Sequence, residues 1–580
     1  MRAARWILPQ VPETEAAALS TALKIGMPAA RVLCARGFSN AAAARAFLSP
    51  AIEALHDPFL MRDMREAVER LRGAIDRREK ILIYGDYDVD GTTAVVLLKT
   101  AIELAGGQAS VFVPHRLRDG YGMHPQAIRN AAAEGVRLIV SADTGIRASQ
   151  VVALAGELGL DVIVTDHHLP EAELPPAVAV LNPNRQDCMY PEKSLCGAAV
   201  AFKLAQALFS SLGWDPERAR RMTASFLKLV SIATVADVVP LSGENRIMVK
   251  HGLEGLRDVR NPGLRALLDV AGFARPAVPT ATQVAFRVAP RMNAAGRMDT
   301  ATHVIELFTT ADTERARALA RQLHDLNADR QQTEAEIIAE ILAACESKPV
   351  TEDQWALVFC GEGWHRGVLG IVASRLVERF HRPAIVLGIE NGFAQGSGRS
   401  IPQFHLLEAL DAMPELFVKY GGHRHAAGLT LLPEHAAVFR ERLNAHAAQR
   451  LTAEDLAPVV EIDALLNLPE LSDEAVGQVL SLAPFGYGNP APLFGVMSAE
   501  VAAPPAIWKE KHLRLAFRQN GRVISAKAWN FAGRAAEFAA GACLDVALTI
   551  EEDAYSAARG YGSWCAVLRE ARPARAAAAG

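Results

Sequence analysis

Residues 79–107 read EKILIYGDYDVDGTTAVVLLKTAIELAGG. Ile81 to Tyr84 is a short unbroken apolar run, which predicts a strand buried on both faces. Thr92 to Leu104 predicts a helix. Between them lie three carboxylates, Asp86, Asp88 and Asp90. The same order then recurs. QASVFVPHR (108–116) predicts a second strand, and AIRNAAAEGVRLIVSADTG (127–145) a helix followed by a strand. ASQVVALAGELGLDVIVTDHH (148–168) repeats helix and strand, and AVAVLNPN (177–184) adds one more strand. Strands alternating with helices specify a mostly parallel sheet covered on both faces. In such sheets ligands gather just beyond the carboxyl ends of the strands. Those ends are where the polar clusters fall: the three aspartates above, Asp143 in SADTG, and Asp166, His167 and His168 in TDHH. Asp237, in ATVADVVPL (233–241), is a further carboxylate.

Outward from this segment, the chain of 580 residues is too long for one hydrophobic core and implies several domains. Residues 196–340 are mainly helical in pattern. TERARALARQLHDLNADRQQTEAEIIAEILAAC (313–345) is long enough to connect two domains. A second α/β unit starts near Trp355, with strands in WALVFCG and RPAIVLG around the helix GVLGIVASRLVERF. The last 120 residues or so hold short strand-like runs between Gly, Asn and Asp turns, the pattern of a small β barrel. The expected division is an N-terminal helical cap on the next domain (1–75), a parallel-sheet domain (76–310), a connecting helix (311–345), a second α/β domain (346–455), a junction with the barrel (456–575) and a disordered tail (576–580).

Composition narrows the classes. Half the residues are apolar and 22% are charged, which fits a folded chain and excludes a disordered one. The net charge of -4 does not mark a nucleic-acid binder, so any such binding needs a local basic groove. The seven cysteines are widely spaced with no CxxC, which excludes a zinc knuckle or iron–sulfur site and fits a reducing compartment. The first residues lack the apolar core of a signal peptide, and no stretch of about 18 uncharged apolar residues is present. A cytoplasmic protein with no membrane association is expected.

An isolated aspartate after a strand is usually a turn former or a helix cap. A cluster has a different meaning. Several carboxylates and an imidazole at one sheet rim repel one another and lose hydration. A pair of divalent cations neutralises that arrangement. Mg²⁺ and Mn²⁺ accept carboxylate oxygen, and Mn²⁺ also tolerates imidazole. Two such ions can clamp a phosphoryl group and activate water, so no serine or cysteine nucleophile is required.

DYDVDG, SADTG, TDHH and ADVVPL resemble the motifs of the DHH phosphoesterase family. The resemblance implies Asp88, Asp90, Asp143, His167 and Asp237 as ligands of two divalent cations, Mn²⁺ or Mg²⁺. It places Asp86 beside them, ligating or orienting water, His168 against the scissile phosphate, and Asp166 behind a histidine as its orienting partner. Some relatives carry a histidine four residues before the first ligand; Tyr84 stands there in this chain, which favours the nuclease-like branch.

Further on, RVAPRMNAAGRM supplies Arg287, Arg291, Asn293 and Arg297; GWHRGVLGIVASRL supplies His365 and Arg366; GSGRS supplies Ser397 and Arg399; KYGGHRHAAG supplies His423. Taken singly, each stretch is as well explained by a glycine turn with solvent-facing charge. Together they resemble the DHHA1 substrate-binding domain, with Arg399 and His423 as the leading phosphate contacts. LAPFGYGNPAPLF (482–494) is similar to the junction that precedes the OB-type barrel of RecJ proteins. That barrel would carry Lys509, Lys511, Arg514, Arg518, Arg522 and Lys527, with Phe517 and Trp529 weighted toward its core. The resemblance implies a monomeric 5′-to-3′ exonuclease of single-stranded DNA, acting in recombination and repair with a helicase and a single-strand-binding protein. Two alternatives are a DHH phosphodiesterase for short RNA or signalling dinucleotides, and a binding protein that has lost catalysis.

Overall fold

The computed structural model describes residues 4–116, 118–553 and 562–574. The chain divides into two compact units. One holds His56–Asp237 and Gly252–Pro458; the other holds Ala4–Leu55, Val238–His251 and the segment from Val459 onward.

The first unit opens with a parallel sheet. Its strands are β1 (Lys80–Gly85), β2 (Ala109–Phe112), β3 (Val136–Ala142), β4 (Asp161–Thr165) and β5 (Ala179–Leu181), in the order β2-β1-β3-β4-β5. All four pairings are parallel. The apolar runs of β1, β3 and β4 are buried almost throughout, as a sheet covered on both faces demands. Helix α1 (Val89–Leu104) follows β1 and is buried over most of its surface, partly against α2 (Gly197–Ser211). Helix α3 (Pro216–Ala236) delivers Asp237 at its carboxyl end. A π-helical turn, Val284–Val288, leads into α4 (Ala289–Met298), which carries Asn293 and Arg297.

The long helix expected near 311–345 is α5 (Thr313–Ser347), started by Asp312, whose side chain accepts from the N–H groups of Glu314 and Arg315. Its buried positions include a polar set, Asn327, Arg330 and Glu334. Beyond it, strands β6 (Leu357–Glu362), β7 (Ala384–Glu390), β8 (Phe393–Arg399), β9 (Phe417–Gly422) and β10 (Ala426–Leu431) form a mixed sheet in the order β9-β10-β8-β7-β6. Only β6 and β7 pair in parallel. Helix α6 (Leu369–Phe380) packs on this sheet through Leu369, Val372, Ala373 and Leu376.

The second unit contains the barrel. Its strands include β11 (Phe494–Val501), β12 (His512–Gln519), β13 (Arg522–Ala528), β14 (Cys543–Glu552) and β15 (Trp564–Pro573), and a pairing of β11 with β12 closes it. Residues 1–75 do not act as one cap on the next domain. The helices Glu13–Leu23, Met27–Ala35 and Ala41–Leu48 share a core with the barrel, in which Leu19, Val32 and Leu33 pack with Val496, Leu515 and Phe517. The helix Met64–Asp76 and the short turn Pro58–Leu60 before it belong to the first unit. Helical periodicity reveals an apolar face, not its partner, and the barrel end supplies one far away in sequence. Residues 238–251, expected inside the parallel-sheet domain, also belong to the second unit: buried Arg246 donates to the carbonyls of Phe47, Leu482 and Ala483. The expected tail, 576–580, lies outside the described residues. Among the described residues no single helix is long and apolar enough to cross a membrane.

Candidate metal centre

Three carboxylates stand one residue past three adjacent strands. In each case the aspartate N–H continues the ladder to the next strand. Asp86 N–H donates to Ala142 O (3.3 Å), Asp143 N–H to Thr165 O (2.9 Å) and Asp166 N–H to Leu181 O (3.0 Å). Sheet register therefore steps all three to one edge. Asp88 caps α1 and accepts from Gly91 N–H at 2.9 Å. Asp90, in the first turn of α1, spans to α2 and accepts from Gly197 N–H (2.6 Å) and Ala198 N–H (2.8 Å). Asp143 sits in the left-handed region at φ 62°, where aspartate is better tolerated than most residues.

His167 lies at the centre. Its Nε2 is 3.3 Å from Asp143 Oδ1 and 3.8 Å from both Asp90 Oδ2 and Asp237 Oδ2. Three groups of candidate ligand atoms each fall within 4.8 Å: Asp90 with His167 and Asp237; Asp86 with Asp88 and Asp143; and Asp143 with His167 and His168. All five residues expected to ligate metal are thus brought together. Asp86 joins them as a member of a carboxylate group.

The site fits divalent cations on its own chemistry. Asp86 Oδ1, Asp143 Oδ1 and Asp237 Oδ2 are buried and accept no hydrogen bond from the described residues, His167 Nε2 lying close to Asp143 Oδ1 without making one. Leaving such oxygens unpaired is costly unless a cation satisfies them. Electrostatics agrees. Burial first, and neighbouring carboxylates second, raise Asp86 and Asp143 well above the usual carboxylate range. Burial raises Asp90 as well. The same causes push Asp237 up to about 9.

A raised folded-state value means that these acids retain protons in the metal-free fold after the unfolded chain has released them, above about pH 4. Metal-free protein is therefore expected to lose melting temperature steadily as pH rises from 5 to 9. Saturating Mn²⁺ is expected to remove most of that slope and to release protons on binding. Thermal melts in chelator and in Mn²⁺ across this range check it; a flat chelator series contradicts the electrostatic reading.

Asp166 plays a different part from the other aspartates. Its Oδ2 accepts from Ile146 N–H at 2.9 Å, and its Oδ1 lies 2.7 Å from both His167 N and His168 Nδ1. Burial works to raise its value, but the His168 hydrogen bond, the charge of His168 and the backbone donors outweigh that and hold it below the usual range. Desolvation works to lower His168, and Asp166 outweighs it and raises it. His167, without such a partner, is lowered by burial. Asn182 and Asn184 fix the same turn by donating to the carbonyls of His168 (2.8 Å) and His167 (2.6 Å).

A basic wall adjoins the carboxylates. Burial lowers Arg297 to about 10, and Arg116, Arg330 and Arg399 are close enough to depress it further, while Asp88 draws it up. Its guanidinium donates to Gly367 O at 3.1 Å. Arg399 donates to Ser397 Oγ (2.7 Å) and Gly398 O (2.8 Å), and burial lowers it too. Gly370, in the first turn of α6, leaves room for it: a Cβ there would lie 2.9 Å from Arg399 Nη2. Like-charged guanidiniums gathered in partial burial form a site for an anion. Asn293 reaches the metal loop directly, accepting from Val89 N–H at 3.3 Å. His365 accepts from Gly367 N–H (3.1 Å), Arg366 is exposed, and exposed His423 lies near enough to Arg399 to feel its charge.

Arg287 departs from expectation. Its guanidinium donates to Ala271 O and Gly272 O and lies 4.2 Å over the Phe273 ring, so it ties down a helix end instead of joining the wall. Two wall residues escape the sequence reading. Arg116 ends the VPHR run just past β2, a position that could have marked it. Arg330 is one charge among many on α5. Tyr121, whose hydroxyl reaches His168, escapes it too.

Family models match three parts of the chain: the DHH family N-terminal domain at 80–234, the DHHA1 domain at 352–449 and the RecJ OB domain at 462–561. The single-stranded-DNA-specific exonuclease RecJ of Dickeya dadantii is 41% identical over 77% of this chain and 80% of its own length. The Bacillus subtilis protein of that name is 39% identical over 91% of this chain, which spans 66% of that protein. The crystal structure of RecJ in complex with Mn²⁺ from Thermus thermophilus superposes with a TM-score of 0.83 and 31% identity, over 99% of this chain and 80% of that one.

Proposed function

The chain belongs to the RecJ family of single-stranded-DNA-specific exonucleases, and we propose that it removes 5′ mononucleotides successively from the 5′ end of single-stranded DNA with two Mn²⁺ or Mg²⁺ ions. One observation carries the reading: the ligand-type side chains of three overlapping groups meet at one sheet edge with three carboxylate oxygens unpaired, beside a wall of guanidiniums in the same unit.

Asp88, Asp90, Asp143, His167 and Asp237 hold the ions, with Asp86 completing the carboxylate group of Asp88 and Asp143. When bound, two such ions polarise the phosphoryl group, activate water and stabilise the leaving oxygen. His168 donates to the scissile phosphate, and Asp166 keeps its ring turned toward that phosphate. Arg399, Arg297 and Arg116 grip backbone phosphates, with Ser397, Asn293, His365, Arg366 and His423 at the same cleft. Such contacts position a strand without reading its sequence. On the barrel, exposed Lys509 and Arg514 lie over the Trp508 ring, which is 5.2 Å from that of Trp529, and Lys511 is exposed in the same stretch, a combination suited to single strands. Phe517 is fully buried and serves the core; Trp529 is exposed. The cellular setting proposed is cytoplasmic recombination and DNA repair, by a monomer working with a helicase and a single-strand-binding protein.

The deciding test titrates Mn²⁺ and Mg²⁺ against single-stranded DNA labelled separately at each end. Labelled mononucleotide is expected at once from the 5′ label and only late from the 3′ label. Hydrolysis confined to a dinucleotide substrate, or undiminished by thorough chelation, rejects the proposal.

A further inference from the structure

Tyr121 has no folding reason to be where it is. Its side chain belongs to a residue that is 55% exposed, so apolar burial does not hold it. Yet its hydroxyl lies 3.3 Å from His168 Nε2 and 3.5 Å from Nδ1. Nδ1 is already engaged by Asp166 at 2.7 Å, and the near-equal distances to the two nitrogens set the phenol oxygen over the face of the ring, out of line with Nε2–H. The flanking residues, Gly120 and Gly122, both take positive φ, 86° and 94°, with open space where a Cβ would stand. Packing does not require glycine at either position; the backbone path does. The loop turns back on itself at two points and sets the tyrosine against the histidine.

The surroundings fix the ring as well. The Tyr121 ring meets His168 edge-on at 5.9 Å and Tyr87 at 6.5 Å, and Arg116 lies 5.0 Å over the Tyr87 ring. Tyr121 is thereby suspended between the basic wall and the histidine pair.

We propose that the Tyr121 hydroxyl, held against the ring of the Asp166-oriented His168, is a further catalytic group, donating to a non-bridging oxygen of the scissile phosphate. The proposal rests on the exonuclease reading above. Asp166 accepts from Nδ1–H and so sets the orientation of His168. Nε2–H is left to the phosphate, and the phenol, packed against the ring, presents its own proton to the same group. No proton need be transferred: the group stabilises charge that grows on the phosphate as the bond to the leaving oxygen breaks.

The test compares wild-type protein, Tyr121→Phe and Tyr121→Ala on 5′-labelled single-stranded DNA in saturating Mn²⁺. Tyr121→Phe keeps the ring and loses only the hydroxyl. It is expected to lower kcat about 10- to 100-fold with KM and Mn²⁺ affinity within about twofold of wild type, a range typical for loss of a supporting contact at such sites. Tyr121→Ala is expected to be no faster than Tyr121→Phe. If Tyr121→Phe matches wild type while Tyr121→Ala raises KM, the ring acts by stacking on a base and the proposed donor role is wrong. If both variants lose Mn²⁺ affinity together with kcat, the role is structural and the proposal fails. Failure of the wild type itself to hydrolyse DNA overturns the exonuclease reading as well; any loss confined to the variants leaves that reading intact.

Discussion

Asp143→Asn is expected to reduce Mn²⁺-dependent DNA hydrolysis about 1,000-fold or more in kcat, and at the same time to raise the melting temperature of the metal-free protein. The two effects have one cause. Asp143 belongs to two of the three ligand groups, and its Oδ1 is buried without a protein donor. Exchanging that carboxylate for an amide would remove a charged candidate ligand that two of the three groups share. A loss of about 4 kcal/mol in transition-state stabilisation, within the several expected of metal clamping, corresponds to roughly that factor. In the absence of metal the same carboxylate opposes folding. Burial raises its value first, and Asp90, Asp88, Asp86 and Asp166 raise it further. Above the unfolded-state value of about 3.9 the unfolded chain has lost a proton that the fold still holds, so the group costs stability from there upward. An amide has no such cost. Asparagine also accepts φ near 62° without strain, so the backbone does not offset the gain. Turnover on end-labelled DNA and a melt in chelator at about pH 8 read the two halves. A rate within about tenfold of wild type, or a lower metal-free melting temperature, rejects the assignment.

That division between function and stability bears on how much of the site a sequence can disclose. The runs at Ile81–Tyr84, Val136–Ala142 and Val162–Thr165 are legible because a strand buried on both faces has to be apolar along its whole length, and polar residues immediately after it have few other uses in number. The same logic locates Asp143, Asp166 and the histidine pair. What it cannot give is the third dimension. Asp86 and Asp88 are two residues apart, but one extends the strand and the other caps the helix, and only that turn brings both to Asp143. Asp90 is bound by the amino end of α2, more than one hundred residues later. Arg287 has the same charge and nearly the same setting as Arg297, yet Phe273 and two carbonyls claim it. No pattern along the chain distinguishes a guanidinium that ties down a helix end from one that gathers with others beside the carboxylates.

The barrel shows the opposite case, a signal complete within one strand. In HLRLAFRQ, Leu513, Leu515 and Phe517 alternate with Arg514 and Arg518, and the burial alternates with them. Period-two alternation alone assigns Phe517 to the core. The N-terminal helices are misplaced for the contrary reason: their apolar faces are clear, but the partner is a barrel more than four hundred residues away.

Gly197→Ala is the sharpest test of a contact that sequence does not reveal. Gly197 opens α2, where alanine is a better helix former than glycine by about 1 kcal/mol in a helix interior. On propensity alone the change should do no harm. The site says otherwise. A Cβ at 197 would lie 2.4 Å from Asp143 Oδ1, 2.6 Å from its Cβ and 2.7 Å from its Cγ. Neither side can yield freely. Asp143 is pinned through its N–H to Thr165 O, and Gly197 is pinned through its own N–H to Asp90 Oδ2. Whichever moves, one candidate ligand leaves its place: Asp143 directly, or Asp90 as α2 withdraws. A displacement of about 1 Å at a reacting centre can cost roughly 100-fold in rate. The expected result is therefore a fall of about that size in kcat with weaker Mn²⁺ binding by calorimetry, while the far-ultraviolet circular dichroism is unchanged. Retained helix with lost turnover separates displacement of the ligands from unfolding. Wild-type turnover and Mn²⁺ affinity in the alanine variant would mean that the carboxylates at 90 and 143 do not work in the close register described, and the metal centre built on them would have to be redrawn.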